Sequence, residues 1–359
     1  MILEELNILY NWLSFYNLDQ ANLYQVKQYL KCYVYQFCKI YGDQEMKAII
    51  LKGFGGVENL VKEDIPVPEI NDNELLVEVR AFSINPVDIK TRNGKGQAEK
   101  LKEQLPMILG WDISGTVIKT GKSVSDFKKG DQVFGMINFP GNGRAYAEYV
   151  AVPESQVALR PSDISFVDAA AASLAALTAY QVIYRKLNVG QNDRILIHSA
   201  AGGVGHFAVQ FARNRGAFIA GTASASNRDF ILGLGASMHI DYENEKFEEI
   251  LKDMDFVLDT IGGYYVDRSL KVLKTGGSII TLPSGTAEST KEKADLAGMT
   301  GSSFLVRSNG GDMKEIAYLL GTKRIKSEVS SIYSFDEIKQ AHLQIESGKT
   351  RGKVVVSLE

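Results

Sequence analysis

The residues best suited to chemistry lie between Asp193 and Arg213: Asp-Arg-Ile-Leu-Ile-His-Ser-Ala-Ala-Gly-Gly-Val-Gly-His-Phe-Ala-Val-Gln-Phe-Ala-Arg. Ile195, Leu196 and Ile197 make a short apolar run, as in a strand buried on both faces. Ala201, Gly202, Gly203, Val204 and Gly205 then form a tight turn, and Phe207, Ala208, Phe211 and Ala212 recur at helical spacing. In a strand–glycine turn–helix unit the backbone approaches a pyrophosphate closely. The helix start also turns free N–H groups and the positive end of its dipole towards that anion. The pattern departs from a full G-x-G-x-x-G, because Ala200 holds the first glycine position. The competing reading is a tight turn with no ligand.

A second strand, Ala217 to Thr222, ends about 20 residues after Gly202, where this kind of fold reads the ribose. An NAD site usually carries Asp or Glu there. Here the run is Gly-Thr-Ala-Ser-Ala-Ser-Asn-Arg from Gly221 to Arg228, with no carboxylate before Asp229. Ser224 can hydrogen-bond a phosphate and Arg228 can pair with one bidentately. The run would attract a 2′-phosphate, which favours NADPH over NADH. The alternative is a polar loop with a solvated arginine.

These residues need a scaffold, and the chain is long enough for two sizeable cores at 359 residues. Its 45% hydrophobic and 23% charged residues are ordinary for a globular protein. A net charge of −3 gives no sign of a nucleic-acid or membrane-surface partner. No apolar run reaches the roughly 18–20 residues needed to span a bilayer. The two cysteines, Cys32 and Cys38, exclude a disulfide framework. They fit a reducing compartment, and the expectation is a cytoplasmic protein. The start Met-Ile-Leu-Glu-Glu lacks the basic stretch of a signal peptide.

Residues 1–45 differ from the rest. Leu6, Leu9, Leu13 and Tyr16 recur at the spacing of an amphipathic helix. We read the segment as an extension of uncertain role and Met46-Lys-Ala-Ile-Ile-Leu-Lys as the start of a strand-first domain. From Met46 to about Phe166 the pattern is all-β, with strands expected at Lys47–Leu51, Leu75–Phe82, Ile113–Lys119, Gln132–Gly135 and Ala145–Val152. Ser165 and Asp168 bracket a helix start, and a long Ala-rich helix is expected from Ala169 to about Lys186. Strands at 194–198, 217–222, 237–241, 255–259 and 278–282 then alternate with helices near 204–214, 227–233, 246–252, 264–273 and 313–320. Such alternation predicts a parallel sheet with right-handed crossovers, and Asp312 is expected to cap the last of these helices. Ser334 and Glu337 start a helix that stops at Gly348. Lys353–Leu358 is a closing strand, expected to pair with the first domain. The fold class is therefore α/β: a Rossmann-type doubly wound parallel sheet (residues 168–321) inserted into a β-barrel-like catalytic domain (46–167 plus 322–359), with the site in the cleft between them.

Four stretches in this order, Asn-Pro-Val-Asp-Ile-Lys (85–90), Gly-Trp-Asp-Ile-Ser-Gly (110–115), Ala-Leu-Thr-Ala-Tyr-Gln (176–181) and Ala-Ala-Gly-Gly-Val-Gly (200–205), resemble the zinc-independent quinone-oxidoreductase branch of the medium-chain dehydrogenase/reductase superfamily, the zeta-crystallin-like family. The resemblance covers residues 46–359 and implies a GroES-like first domain. The positions similar to the catalytic zinc ligands of related alcohol dehydrogenases hold Asn85, Trp111 and Leu174, and residues 46–359 contain no cysteine. No metal is therefore expected. His198, His206, His239 and His342 show no ligand spacing; His198 and His239 are read as structural.

The resemblance implies hydride transfer from NADPH to a quinone or an α,β-unsaturated ketone or aldehyde, whose conjugation moves the incoming charge onto an oxygen. The cofactor does the chemistry and the protein orients it. Asn85 would lie near the nicotinamide and acceptor and donate an amide hydrogen bond; alternatively it is a turn residue before Pro86. Lys90 is a candidate oxyanion partner, and Asp88 would fix the turn. Thr178 would contact the cofactor near its nicotinamide end, and Tyr242 would stack on or bond the adenosine portion. Lys353 either reaches the cofactor or is a solvated strand charge. Phe139, Tyr146 and Phe304 are candidates for an apolar acceptor pocket, with core packing as the other reading. No proton donor stands out; solvent, Tyr146 and Tyr180 all remain open. A homodimer is expected, since dimers are the commonest soluble oligomers and similar enzymes are often dimers. An enoyl-thioester reductase would need a basic groove that the sequence lacks. A non-catalytic NADPH-binding sensor or structural protein is the alternative from another class.

Overall fold

The computed structural model describes residues 45–359 other than 284 and 286. The expected amphipathic helix and both cysteines lie outside the described residues. In chain order the β-rich part runs β1 (Glu45–Leu51), β2 (Leu60–Pro66), β3 (Glu74–Ile84), helix α1 (Pro86–Arg92), β4 (Met107–Ile108), β5 (Asp112–Thr120), β6 (Gln132–Met136), β7 (Tyr149–Pro153) and β8 (Ala158–Leu159). β3 is the spine of this part. β5 runs antiparallel along one side, and β7 pairs with the other side at Glu74–Glu78. Its apolar positions, Leu75, Val77, Val79 and Phe82 among them, are buried in one continuous core.

Next come α2 (Phe166–Ala171) and α3 (Leu174–Tyr180), then β9 (Arg194–Ile197), α4 (Gly203–Asn214), β10 (Phe218–Ala223), α5 (Arg228–Leu234) and β11 (Met238–Asp241). They are followed by β12 (Met254–Asp259), α6 (Tyr264–Leu270), β13 (Leu273–Thr281), α7 (Ala287–Leu296), β14 (Thr300–Ser303) and α8 (Gly310–Gly321). The strands form one six-stranded sheet in the order β11-β10-β9-β12-β13-β14. Every pairing in it is parallel. This is the doubly wound order, with its topological switch point between β9 and β12, where ligands of such sheets bind beyond the strands' carboxyl ends. The chain closes with β15 (Val329–Ser334), α9 (Ile338–Glu346) and β16 (Lys353–Ser357). β16 pairs antiparallel with Ala81–Ile84 of β3. The parallel sheet is thus inserted between β8 and β15, and the tail returns to the first sheet as expected.

Several elements differ from the sequence reading, each for a local reason. The long helix over 169–186 is broken after α2, because the Leu174 N–H leaves the helical ladder and donates to the Asp112 carboxylate at 2.8 Å. The strand expected at 145–152 is confined to Tyr149–Pro153. The helix near 246–252 is a single turn, Phe247–Ile250. Asp312 does not cap α8; Asn309 does, accepting from Asp312 N at 2.9 Å. The Asp312 carboxylate instead accepts from Gln181 and Arg185. β14 carries Thr-Gly-Ser-Ser and gave no apolar signal, although it completes the sheet.

Three buried histidines serve the core. His198 bonds Thr222 Oγ1 (3.2 Å) and Ser269 Oγ (2.9 Å) and sits edge-on to Phe247. His206 Nδ1 bonds the Gly202 carbonyl, and His342 Nε2 meets the Tyr146 hydroxyl at 3.2 Å. Burial, the leading cause for each, pushes their pKa values down to about 3, 4 and 3 respectively. Each therefore takes up a proton only on unfolding. Their contribution to stability is complete above about pH 6.5 and is lost as the pH falls towards the folded values. Asp88 on α1 has the opposite sign. Burial and the Asp112 charge raise it to about 7, so its contribution is present in acid and lost as pH rises through that value. Burial likewise raises Asp112 and Asp259, so buried carboxyls and imidazoles pull the net pH dependence in opposite directions, each differing proton being worth about 1.4 kcal/mol per pH unit. The His198 contribution is isolated by comparison: from pH 7 to pH 5 the melting temperature of His198→Gln should rise relative to that of the parent in a thermal-denaturation series. An unchanged difference between the two proteins over this range would contradict the assignment.

Candidate active site

The switch-point cleft draws its walls from segments far apart in sequence. Ile84–Val87 and Lys90 come from the end of β3 and from α1, and Leu174 and Thr178 from α3. Ser199 and Gly202–Gly205 come from the turn after β9, Thr260 from the end of β12, and Gly352–Lys353 from the entry to β16. The cavity holds about 330 Å³. Phe139, Leu282, Phe304, Val306 and Ile345 give it apolar walls.

A buried polar network forms one end. The Asp112 carboxylate accepts from Ser83 Oγ (2.5 Å), Asn85 Nδ2 (2.7 Å) and Leu174 N (2.8 Å). The Lys353 ammonium donates to Asn85 Oδ1 and to the Ile84 carbonyl, and lies 3.8 Å from Asp112. Lys353 and Asp112 are 3% and 0% exposed, so the side-chain amide of Asn85 bridges a fully desolvated ion pair. Burial lowers the Lys353 pKa against the pull of Asp112 and Asp88. It raises that of Asp112 against Lys353 and the bonds from Asn85 and Ser83. Asp88 fixes the preceding turn, its Oδ2 accepting from Asn85 N at 2.7 Å.

The Asp112 contact to Leu174 N also aims α3. One turn on, Thr178 Oγ1 donates to the Leu174 carbonyl at 2.7 Å and lines the cleft. The glycine turn lines the same cleft. Ser199 has φ +50°, and Gly202 N bonds its carbonyl at 2.9 Å. A Cβ on Gly205 would come within 2.1 Å of the Ser199 carbonyl oxygen, so this glycine is needed for the turn itself. A Cβ on Gly203 would meet Lys353 Cδ at 3.3 Å, a contact a flexible side chain can relieve. The first helical N–H groups of α4 have no partners within the helix. Ala200 in place of the first glycine is accommodated from the next strand: a Cβ on Gly221 would approach the Ala200 Cβ to 2.8 Å, so Gly221 leaves the room that Ala200 takes.

The residues singled out from the sequence fall into two groups. Asn85, Lys90, Thr178, Gly202, Gly203, Val204, Gly205 and Lys353 line the one cleft, with Lys90 exposed. Ala201 lies just behind the turn and accepts from Gly352 N at 2.8 Å. Ser224, Arg228 and Tyr242 gather beyond the carboxyl ends of β10 and β11, where Tyr242 N contacts the Ala223 carbonyl. Phe139 and Phe304 line the cleft, whereas Tyr146 and Tyr180 do not. Tyr146 is buried against Phe82 and His342, and Tyr180 stacks on Tyr184. The Asn85 amide nitrogen, expected to face an acceptor, is directed at Asp112, and its oxygen at Lys353. Asp112 and Ser83 were not singled out. Asp112 stood inside one of the four quoted stretches, but an aspartate beginning a strand carries no local sign of what it will accept.

Trp111 donates from Nε1 to the Gly141 carbonyl at 2.7 Å and meets the Phe139 ring edge-on. With Asn85 bonded as above and Leu174 aliphatic, the three positions compared with zinc ligands carry other duties. Among the described residues no cluster of three or more His, Cys, Asp or Glu is placed to hold a metal ion.

The two glycines separate folding from binding. Gly205→Ala should destabilise the protein by about 1–3 kcal/mol through backbone overpacking. Gly203→Ala should melt near the parent temperature yet weaken dinucleotide binding at least several-fold. Calorimetry and thermal melting on both variants check this; equal stability losses would refute the distinction.

Residues 71–162 match the model described as alcohol dehydrogenase GroES-like domain, and residues 234–356 the model described as zinc-binding dehydrogenase. A 2-methylene-furan-3-one reductase of Solanum lycopersicum is 34% identical over 322 residues, covering 87% of this chain and 79% of its own. A chloroplastic NADPH-dependent alkenal/one oxidoreductase of Arabidopsis thaliana is 34% identical over 324 residues, covering 87% and 80%. Among solved structures, the quinone oxidoreductase from Coxiella burnetii superimposes with a TM-score of 0.85 at 37% identity, over 88% of this chain and 100% of that one. With its GroES-like first part, its doubly wound parallel sheet and these relatives, the chain belongs to the quinone-oxidoreductase branch of the medium-chain dehydrogenase/reductase family.

Proposed function

We propose that this protein is a zinc-independent, NADPH-dependent oxidoreductase that reduces α,β-unsaturated ketones or aldehydes and quinones. The observation that carries the reading is the desolvated Lys353 ammonium, held on Asn85 Oδ1, with its aliphatic stem beside Gly203 of the Gly202–Gly205 turn and both lining one largely apolar cleft. The relatives support it: they include an alkenal/one oxidoreductase and a 2-methylene-furan-3-one reductase, both names of conjugated-carbonyl chemistry.

The turn residues Ala201–Gly205 suit the pyrophosphate. Glycine at 203 leaves the backbone bare on the side towards Lys353, and the start of α4 supplies N–H donors and a favourable dipole. Ser224, Arg228 and Tyr242 suit the adenosine 2′-phosphate, with no carboxylate in the run from Gly221 to Arg228. Thr178 Oγ1 uses its proton on the Leu174 carbonyl and so offers lone pairs to a carboxamide N–H. NADPH, when bound, supplies the hydride. The apolar walls exclude water, which strengthens any charge interaction inside. An acceptor oxygen that gains negative charge would be stabilised by the fixed positive charge of Lys353 and, at the mouth, by Lys90. Asn85 acts here as the bracket for that ammonium. Amide, indole and aliphatic side chains at 85, 111 and 174 offer a metal no thiolate or imidazole, so the reading contains no metal step.

The same reading includes a homodimer in the cytoplasm. Closed twofold dimers are the commonest soluble assembly, and two cysteines in 359 residues suit a reducing compartment. No helix among the described residues is long and apolar enough to cross a membrane.

NADPH oxidation followed by absorbance, with an enone and a quinone as acceptors and NADH as comparison, tests the function. Turnover should be faster with NADPH, and Arg228→Glu should lower kcat/KM for NADPH tenfold or more, as expected for losing a charge-assisted contact and adding a repulsive one. Lys353→Met should reduce kcat while the Arg228 variant mainly raises KM. Tight NADPH binding without turnover on either acceptor would replace the reductase with a sensor.

A further inference from the structure

The segment that leads into β16 touches both ends of the cleft. Gly352 N bonds the Ala201 carbonyl in the glycine turn at 2.8 Å, and Lys353 reaches Asn85. In the opposite direction the Arg351 side chain crosses to the ribose-reading end of the parallel sheet. Its Nε donates to Asn227 Oδ1 at 2.7 Å, its Nη2 lies 3.5 Å from the Ser226 carbonyl, and its guanidinium rests on the Phe230 ring, 5.1 Å from the centroid. Asn227 in turn donates from Nδ2 to Ser224 Oγ at 3.0 Å, and Ser224 and Ser226 hydroxyls meet at 3.1 Å. Arg351, Asn227, Ser224 and Ser226 therefore form one network, immediately before Arg228.

The charge there is unbalanced. Among the described residues neither Arg351 nor Arg228 forms an ion pair. Asp241, which pairs with Ala223 across the sheet, accepts instead from Asn244 Nδ2 and Glu243 N. Arg228 begins α5 directly after the hydroxyl cluster and is exposed, so two cationic residues flank the cluster and an anion there would be attracted by both. A planar fork with unused N–H groups suits a phosphate, which takes two parallel hydrogen bonds from it. The ring beneath Arg351 and its bond to Asn227 hold that fork in place before any ligand arrives.

We propose that Arg351 is a second cationic reader of the cofactor's 2′-phosphate, presented to the Ser224–Arg228 run from the segment that returns to the other sheet. This rests on the NADPH reading above and deepens it. One short stretch then serves three parts of the cofactor site: Arg351 at the 2′-phosphate, Gly352 at the glycine turn and Lys353 at the reacting end. Cofactor discrimination is thus shared between the two sheets.

The test compares kcat/KM for NADPH and NADH in the full-length parent, Arg351→Ala, Arg228→Ala and the double variant. Calorimetric binding of 2′,5′-ADP and 5′-ADP is measured alongside. Arg351→Ala should lower the NADPH-to-NADH ratio about tenfold or more, as for a lost hydrogen bond to a charged group. It should also weaken 2′,5′-ADP and not 5′-ADP. Asn227→Ala, which removes the anchor but keeps the cation, should lower the ratio in the same direction by less, and it provides the readout if the Arg351 variant folds poorly. A parent with no preference for NADPH would sink the NADPH reading and this inference together. A parent that prefers NADPH, with the preference intact in Arg351→Ala, would overturn this inference alone. Equal losses for both cofactors would reduce Arg351 to a tie between the sheets.

Discussion

The Asp112 carboxylate is the constraint on which the site depends. A fully buried carboxylate is costly unless it is paired and hydrogen-bonded. Here Ser83, Asn85 and the Leu174 N–H all donate to it, with the Lys353 ammonium 3.8 Å away. Each contact has a structural result. The bond to Asn85 orients its amide so that the oxygen faces Lys353. The bond to Leu174 breaks what would have been one continuous helix and sets the start of α3, and with it Thr178. One charge thereby positions two cleft residues that lie 93 positions apart in the sequence.

The return of the chain completes this arrangement. β16 adds to β3 antiparallel, and its first residue is Lys353. The same strand that closes the first sheet delivers the counter-charge to Asp112, so the polar end of the cleft is desolvated only once the tail has docked. Breaking such a pair from one side leaves an uncompensated buried charge. Asp112 and Lys353 are accordingly coupled groups, and either one alone would be a liability to the fold.

The nucleotide side follows a different logic, that of close packing. Gly205 is required by the Ser199 carbonyl 2.1 Å from where its Cβ would stand, whereas Gly203 leaves open backbone facing Lys353. Ala200 and Gly221 exchange volume across adjacent strands. The turn therefore keeps its shape although the first glycine of the usual pattern is missing. Shape complementarity of the backbone, rather than any single side chain, prepares this surface for an anion.

By itself the sequence determined the elements whose signals are local. The apolar run Ile195–Ile197, the glycine turn, the alternation of strands and helices and the closing strand at Lys353 are all where periodicity and turn chemistry placed them. The weak signals were lost for the same reason: β14, Thr-Gly-Ser-Ser, has no apolar face, and the break before Leu174 comes from a carboxylate 62 residues away in sequence. Of the candidate site, the residue types were legible: Asn85, Thr178, the Gly202–Gly205 turn and Lys353 are named from the sequence and line one cleft, while Arg228 lies outside that lining. Their relations were not. That the Asn85 nitrogen faces Asp112, that Lys353 is buried and not solvated, and that Arg351 reaches Asn227 are facts of packing between segments 27 to 268 residues apart. Only the tertiary structure decides them, because a side chain's partners, and the desolvation that sets its charge, are properties of neighbours brought together by the fold.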